Sequence, residues 1–227
     1  RALCKDVKRN DLIGSIATIA FSPYASLALF RWAHMEHHRF TNAEDDPDEW
    51  CHGSAWTLPL RWLTIDVNYL VRALRSTNPA VKKVLKEMVP QLVIVAVLFV
   101  LCIAAGYGWE LVFLVLIPTR ITLLLNGFMF FWLPHAHHKP KQSENLTLAT
   151  TVRVGSEWLL TPLLQCQNYH LIHHLWPTTP FYNNVKVWKL LEPELRQRDL
   201  AIQHNFSIEP EIVLAPANAT PDNAIKG

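Results

Sequence analysis

Eleven histidines occur in 227 residues, and nine of them fall in three tight clusters. His34-Met35-Glu36-His37-His38 and His170-Leu171-Ile172-His173-His174 share the pattern HxxHH. At this histidine frequency roughly 0.03 matches are expected by chance, and two are present. On a helix, positions i, i+3 and i+4 share one face, so each box aims three imidazoles in one direction. The third cluster is His135-Ala136-His137-His138. Imidazole suits Zn, Cu, Fe and Ni. A zinc peptidase would carry HExxH, which is absent. Structural zinc takes four ligands, usually with Cys. More than six histidines are too many for one tetrahedral ion, so two metals are expected. His52 and His204 lie outside the pattern and read as ordinary surface residues.

Composition narrows the class. Half of the residues are hydrophobic and 18% are charged, which excludes a disordered or fibrous chain. A formal charge of +2 excludes a nucleic-acid binder that works by bulk positive charge. Cys4, Cys51, Cys102 and Cys166 stand apart with no CxxC, against a disulfide scaffold, a zinc ribbon or an iron–sulfur site.

The elements that must position the boxes are apolar. Val89 to Ala105 and Trp109 to Leu133 are almost unbroken hydrophobic runs around Gly106-Tyr107-Gly108. As helices they measure roughly 26 and 38 Å, enough to cross a hydrocarbon core of about 30 Å. The intervening turn has no Lys or Arg, whereas residues 34–88 carry seven and residues 134–227 carry eight. The positive-inside rule then expects one transmembrane hairpin with both polar regions in the cytoplasm. Two crossings return the chain to one face, so all nine clustered histidines are expected to meet there. Leu12 to Trp32 reads as a broken or re-entrant stretch bent near Pro23. Residues 54–75 suit a helical stretch in the membrane interface. Residues 205–227, without periodicity, read as a flexible tail after a single domain spanning 1–204.

HMEHHRFTNAEDDPDEW and QNYHLIHHLWPTTPFY resemble the second and third histidine boxes of the membrane fatty acid desaturase superfamily, which includes acyl desaturases and carotenoid hydroxylases and ketolases. The likeness covers most of residues 1–190. It implies an all-α fold, an integral membrane helical bundle with a histidine-rich di-iron face on the cytoplasmic side. It also implies two non-haem irons, O2 as co-substrate and oxidation of an unactivated C–H bond. The lipid substrate would be a fatty acyl chain, or alternatively a carotenoid, since QNYHLIHHLWP also resembles the carotenoid branch. Electrons would come from a ferredoxin- or cytochrome-type donor, because the chain has neither CxxCH nor an iron–sulfur cysteine set. Carried over, His34, His37 and His38 match the second box, and His170, His173 and His174 the third. A further ligand before the third box falls to His135, with His138 next.

The first box of the family, HxxxH, has no counterpart in residues 1–33. The chain starts at Arg1, so that box is expected upstream. The acidic loop Asp45, Asp46, Asp48 and Glu49 is placed either to orient ligand histidines or to form a solvated turn. Asn168 is placed to bond a metal-bound water or to cap a helix. Arg120, within the second apolar run, calls for a buried partner or a functional role.

Overall fold

Both apolar runs are helical in the computed structural model, which describes residues 6–136 and 140–217. The candidate ligand His138 and its neighbour His137 lie outside the described residues. In chain order the helices are α1 (Val7–Phe21), α2 (Leu27–Phe40), α3 (Leu58–Leu63), α4 (Ile65–Arg75) and α5 (Pro79–Ala104). Next come α6 (Gly108–His135), α7 (Glu157–Leu163), α8 (His170–Leu175) and α9 (Asn184–Leu195). α5 and α6 are long and apolar enough to cross a membrane. Only 11% and 17% of their apolar windows are buried, unlike core helices of a soluble protein. α6 is not regular: residues 112–116 and 127–132 wind as π turns, and Leu133–His135 tighten into a 3-10 turn.

The chain divides into two compact units. Asp6–Arg39 with Asp45–Phe128 form a helical unit; Phe40–Glu44 with the described residues of 129–217 form a mixed one. In the helical unit, Asp6 caps α1 by accepting the Arg9 amide at 3.2 Å. The chain breaks at Ser22–Ser26, around Pro23, as expected from the sequence. Gln91 of α5 donates to the Pro23 and Ala25 carbonyls at 3.3 and 3.1 Å, satisfying backbone acceptors that the break releases. α2 then buries Leu29, Ala33 and His37, four residues apart on one face. α3 crosses α6 so tightly that a Cβ on Gly127 would fall 2.3 Å from Trp62 Cβ. Residues 54–75 contain two helices, with Leu60, Val67 and Leu74 exposed at seven-residue spacing.

Arg120 has a structural partner. Its Nη2 lies 2.6 Å from Asp66 Oδ2 on α4, its Nη1 donates to the Leu63 carbonyl at 2.8 Å, and Ser22 donates to the same carboxylate at 3.0 Å. The guanidinium's charge is thereby met by a buried carboxylate.

The all-α expectation is corrected in the mixed unit. A three-stranded sheet runs β1 (Thr151–Val154), β2 (Leu200–His204), β3 (Glu211–Val213), with β1 parallel to β2 and β2 antiparallel to β3. Strands of three to five residues are too short to show a period of two. β3 falls within the segment whose composition reads as a tail. Val152, Leu200 and Ile202 of the sheet pack with Leu171, Ile172 and Leu175 of α8 and Trp188 and Leu195 of α9. Burying each large apolar side chain contributes about 1.5–3 kcal/mol. That core holds one side of α8; His170, His173 and His174 occupy the other.

Replacing Asp66 with Ala leaves Arg120 without its carboxylate and should cost about 3–5 kcal/mol. Thermal unfolding of the detergent-solubilised protein measures it. Asp66→Leu combined with Arg120→Leu should recover most of the loss.

Candidate functional site

In the helical unit, α2 presents the first HxxHH box. His34 and His38 stand one turn apart, with their Nε2 atoms 3.1 Å from each other. His37 turns to the buried side, where its Nδ1 lies 3.0 Å from both oxygens of Asp46 and 3.4 Å from Asp48 Oδ2. Asp48 sits on a tight turn, Pro47–Cys51, and Asp46 precedes it and caps it by accepting the Asp48 amide at 2.8 Å. Tyr69 of α4 donates its hydroxyl to Asp48 Oδ1 at 2.5 Å. Burial, and then the Asp48 charge, raise this hydroxyl well above the usual phenol range, so it remains a donor. Burial pulls the His37 imidazolium down, but Asp48 and Asp46 outweigh it and raise the group to about 9. Burial lifts Asp48 to about 6, with His37 pulling the other way.

In the mixed unit, His135 ends α6 and the second box forms α8. His135 Nδ1 lies 3.2 Å from the Ala149 carbonyl, which Asn42 also contacts at 2.8 Å. A carbonyl only accepts, so that ring nitrogen carries the proton. His170 Nδ1 lies 2.6 Å from Gln167 Oε1. His174 Nδ1 faces Thr41 Oγ1 at 3.5 Å, and Thr41 gives its own proton to Gln142 Oε1 at 2.9 Å. All three Nδ1 atoms thus face acceptors. A neutral imidazole has one N–H, so each Nε2 is left with a lone pair.

Those lone pairs are gathered. His170 Nε2 lies 3.2 Å from His135 Nε2 and 3.1 Å from His174 Nε2. Lone pairs this close repel unless a cation lies among them, and one proton can serve only one pair. Bonds of about 2.1 Å from a metal place its ligand nitrogens about 3.0–3.4 Å apart in octahedral or tetrahedral geometry. The donor set therefore fits a metal ion. His173 completes the box, its ring 5.4 Å from that of His170 and half-buried.

Other expected residues divide. Asp46 meets a histidine, whereas Asp45 is exposed and offers only its backbone carbonyl to Arg72 at 3.3 Å. Asp45 instead borders a cleft of about 260 Å³ with Trp32, Glu36, Arg72 and Arg75. Asn168 is buried and donates to Thr161 at 3.1 Å, its Oδ1 has no hydrogen-bond partner among the described residues, and the residue lines a small pocket of about 10 Å³ with Arg153 and Gln203. His204 is exposed and lies 3.1 Å from Glu211. His52 is corrected: it is 6% exposed, 3.2 Å from Glu49, because the turn capped by Asp46 folds it inward beside buried Cys51. Sequence reasoning missed the roles of Tyr69, Gln167 and Thr41. A Gln three residues before His170 was the one available signal, since i and i+3 meet on a helical turn.

His37 gives a pH test on the metal-free protein. Its folded value, about 9, exceeds the ordinary 6.5. Protonation therefore stabilises the fold fully below about pH 6.5, and the contribution is lost as pH rises through about 9. Thermal unfolding should show a fall in Tm between pH 7 and 10 that is smaller in His37→Gln.

Comparison with curated proteins and with solved structures gives no significant match. The family model described as fatty acid desaturase matches residues 1–206, nearly the whole chain and every described histidine. On that match, the chain belongs to the fatty acid desaturase family.

Proposed function

We propose that the protein is an O2-dependent, non-haem di-iron oxidoreductase acting on lipid alkyl chains, with fatty-acyl desaturation as its reaction. Family membership supports the class. The single observation that carries the metal assignment is the Nε2 lone pair of His170 lying 3.2 Å from that of His135 and 3.1 Å from that of His174. The ligands assigned are His34, His37, His38, His135, His170, His173 and His174, with His138 added from the sequence pattern alone.

Bound iron would supply O2 activation and removal of hydrogen from an unactivated C–H bond. The chain's own residues do the remaining work. Acceptors at Nδ1 keep His37, His135, His170 and His174 in the tautomer that presents Nε2. Asp46 and Asp48 hold negative charge beside His37. The apolar surfaces of α5 and α6 suit a lipid-embedded protein and a lipid substrate. The distribution of Lys and Arg supports a cytoplasmic position for the histidine-bearing segments. A ferredoxin- or cytochrome-type partner supplies electrons there.

Desaturation and hydroxylation share the first hydrogen abstraction and differ in whether a second hydrogen leaves or oxygen is delivered. Carotenoid hydroxylation or ketolation is the alternative that the QNYHLIHHLWP stretch supports. Mass spectrometry of lipids from cells expressing the protein decides. Fatty acids lighter by two hydrogens are expected; oxygenated carotenoids would replace this reading by the alternative. Bound metal without any lipid change would indicate a non-enzymatic metal-binding protein. His37→Ala and His173→Ala should each abolish turnover and lower iron content, whereas His204→Ala should be nearly silent.

A further inference from the structure

Helix α4 spends its buried face on two tasks within the helical unit. Asp66 meets Arg120 of the apolar helix α6. Three residues on, Tyr69 is 2% exposed, rests edge-on against Phe30 at 5.8 Å and donates to Asp48 Oδ1. Asn68, between them, donates to the Pro47 carbonyl at 3.1 Å. The turn that carries Asp48 and is capped by Asp46 is therefore pinned from α4 at a backbone and a side-chain atom. Asp48 uses one oxygen for Tyr69 and points the other, Oδ2, at His37 Nδ1.

We propose that Asp48 and Tyr69 are positioning residues, which together with Asp46 hold His37 as the Nδ1–H tautomer and leave Nε2 to bond the metal. The inference rests on the reading of His37 as a ligand and extends it to a strut on a separate helix. The physical basis is direct. A carboxylate at Nδ1–H fixes the ring's rotation and increases the electron density at Nε2. An aspartate buried this deeply keeps its orientation only if its second oxygen is bonded, and the Tyr69 hydroxyl supplies that bond. Phe in place of Tyr69 keeps the ring and its contact with Phe30 but releases Asp48.

Cobalt(II) titration of the metal-depleted full chain in detergent, followed by visible absorption, tests the proposal. Asp48→Asn and Tyr69→Phe should each weaken cobalt binding by roughly 10-fold or more, the usual effect of losing such a partner. The double variant should bind no more weakly than Asp48→Asn alone, because both changes act through one carboxylate. Asp48→Glu should recover part of the affinity. If His37→Ala weakens binding while Asp48→Asn and Tyr69→Phe bind as wild type, the strut is refuted and the ligand reading survives. If His37→Ala itself binds as wild type, both fall. A measurement on the unaltered sequence covers variants that do not fold: 15N spectra of the zinc-loaded protein should show His37 protonated at Nδ1 and coordinated at Nε2. Coordination through Nδ1 would overturn the proposal.

Discussion

An imidazole can present a lone pair at one nitrogen only if its proton is held at the other, and the arrangement around the histidine boxes follows from that. Thr41, Ala149 and Gln167 in the mixed unit, and Asp46 and Asp48 in the helical unit, have this in common: each offers an oxygen to an Nδ1. Without those oxygens the rings could exchange tautomers, and the approach of His135, His170 and His174 could relax into ordinary hydrogen bonds. Around His37, His135, His170 and His174 the fold delivers an acceptor to one side of the ring.

The two units deliver them by different chemistry. The mixed unit uses neutral oxygens: a carbonyl, an amide and a hydroxyl. The helical unit uses two carboxylates, one on a five-residue turn and one at its cap. Charge makes the latter a stronger hold and a more demanding one, since buried carboxylates need partners of their own. That need accounts for Tyr69 and for the capping contact to the Asp48 amide. The neutral set asks less of its surroundings, and a small sheet and one hydrophobic core suffice to hold α8 in place.

Much of this was legible in the sequence. The HxxHH boxes, the two apolar helices and the break at Pro23 follow from periodicities and residue types that act locally. The pairing of Arg120 was expected in kind, but Asp66 could not be named, because 54 residues separate the two. The sheet escaped notice because its strands are short and β1 and β2 lie far apart in the chain. His52 looked like a surface residue because nothing in Trp50-Cys51-His52-Gly53 announces that the turn folds inward. The acidic loop divided residue by residue: Asp45 faces solvent while Asp46 and Asp48 are buried. A loop's composition gives its average exposure, whereas its caps decide which carboxylate turns inward.

The π turns of α6 make its length matter more than its composition. A π turn accommodates one residue more than the regular spiral would, and each residue of an α-helix advances the facing direction by about 100°. The turn over residues 127–132 therefore sets the angle at which His135 leaves the helix. Exchanges among the apolar side chains that follow Gly127 preserve the angle, whereas Gly127 itself has no room for a Cβ against Trp62. Removing a single residue would let the spiral close into regular α geometry and swing His135 through about a quarter of a revolution, away from Ala149 and His170. Natural variation in α6 should accordingly record exchanges of one apolar side chain for another, while insertions and deletions are confined to the loops on either side.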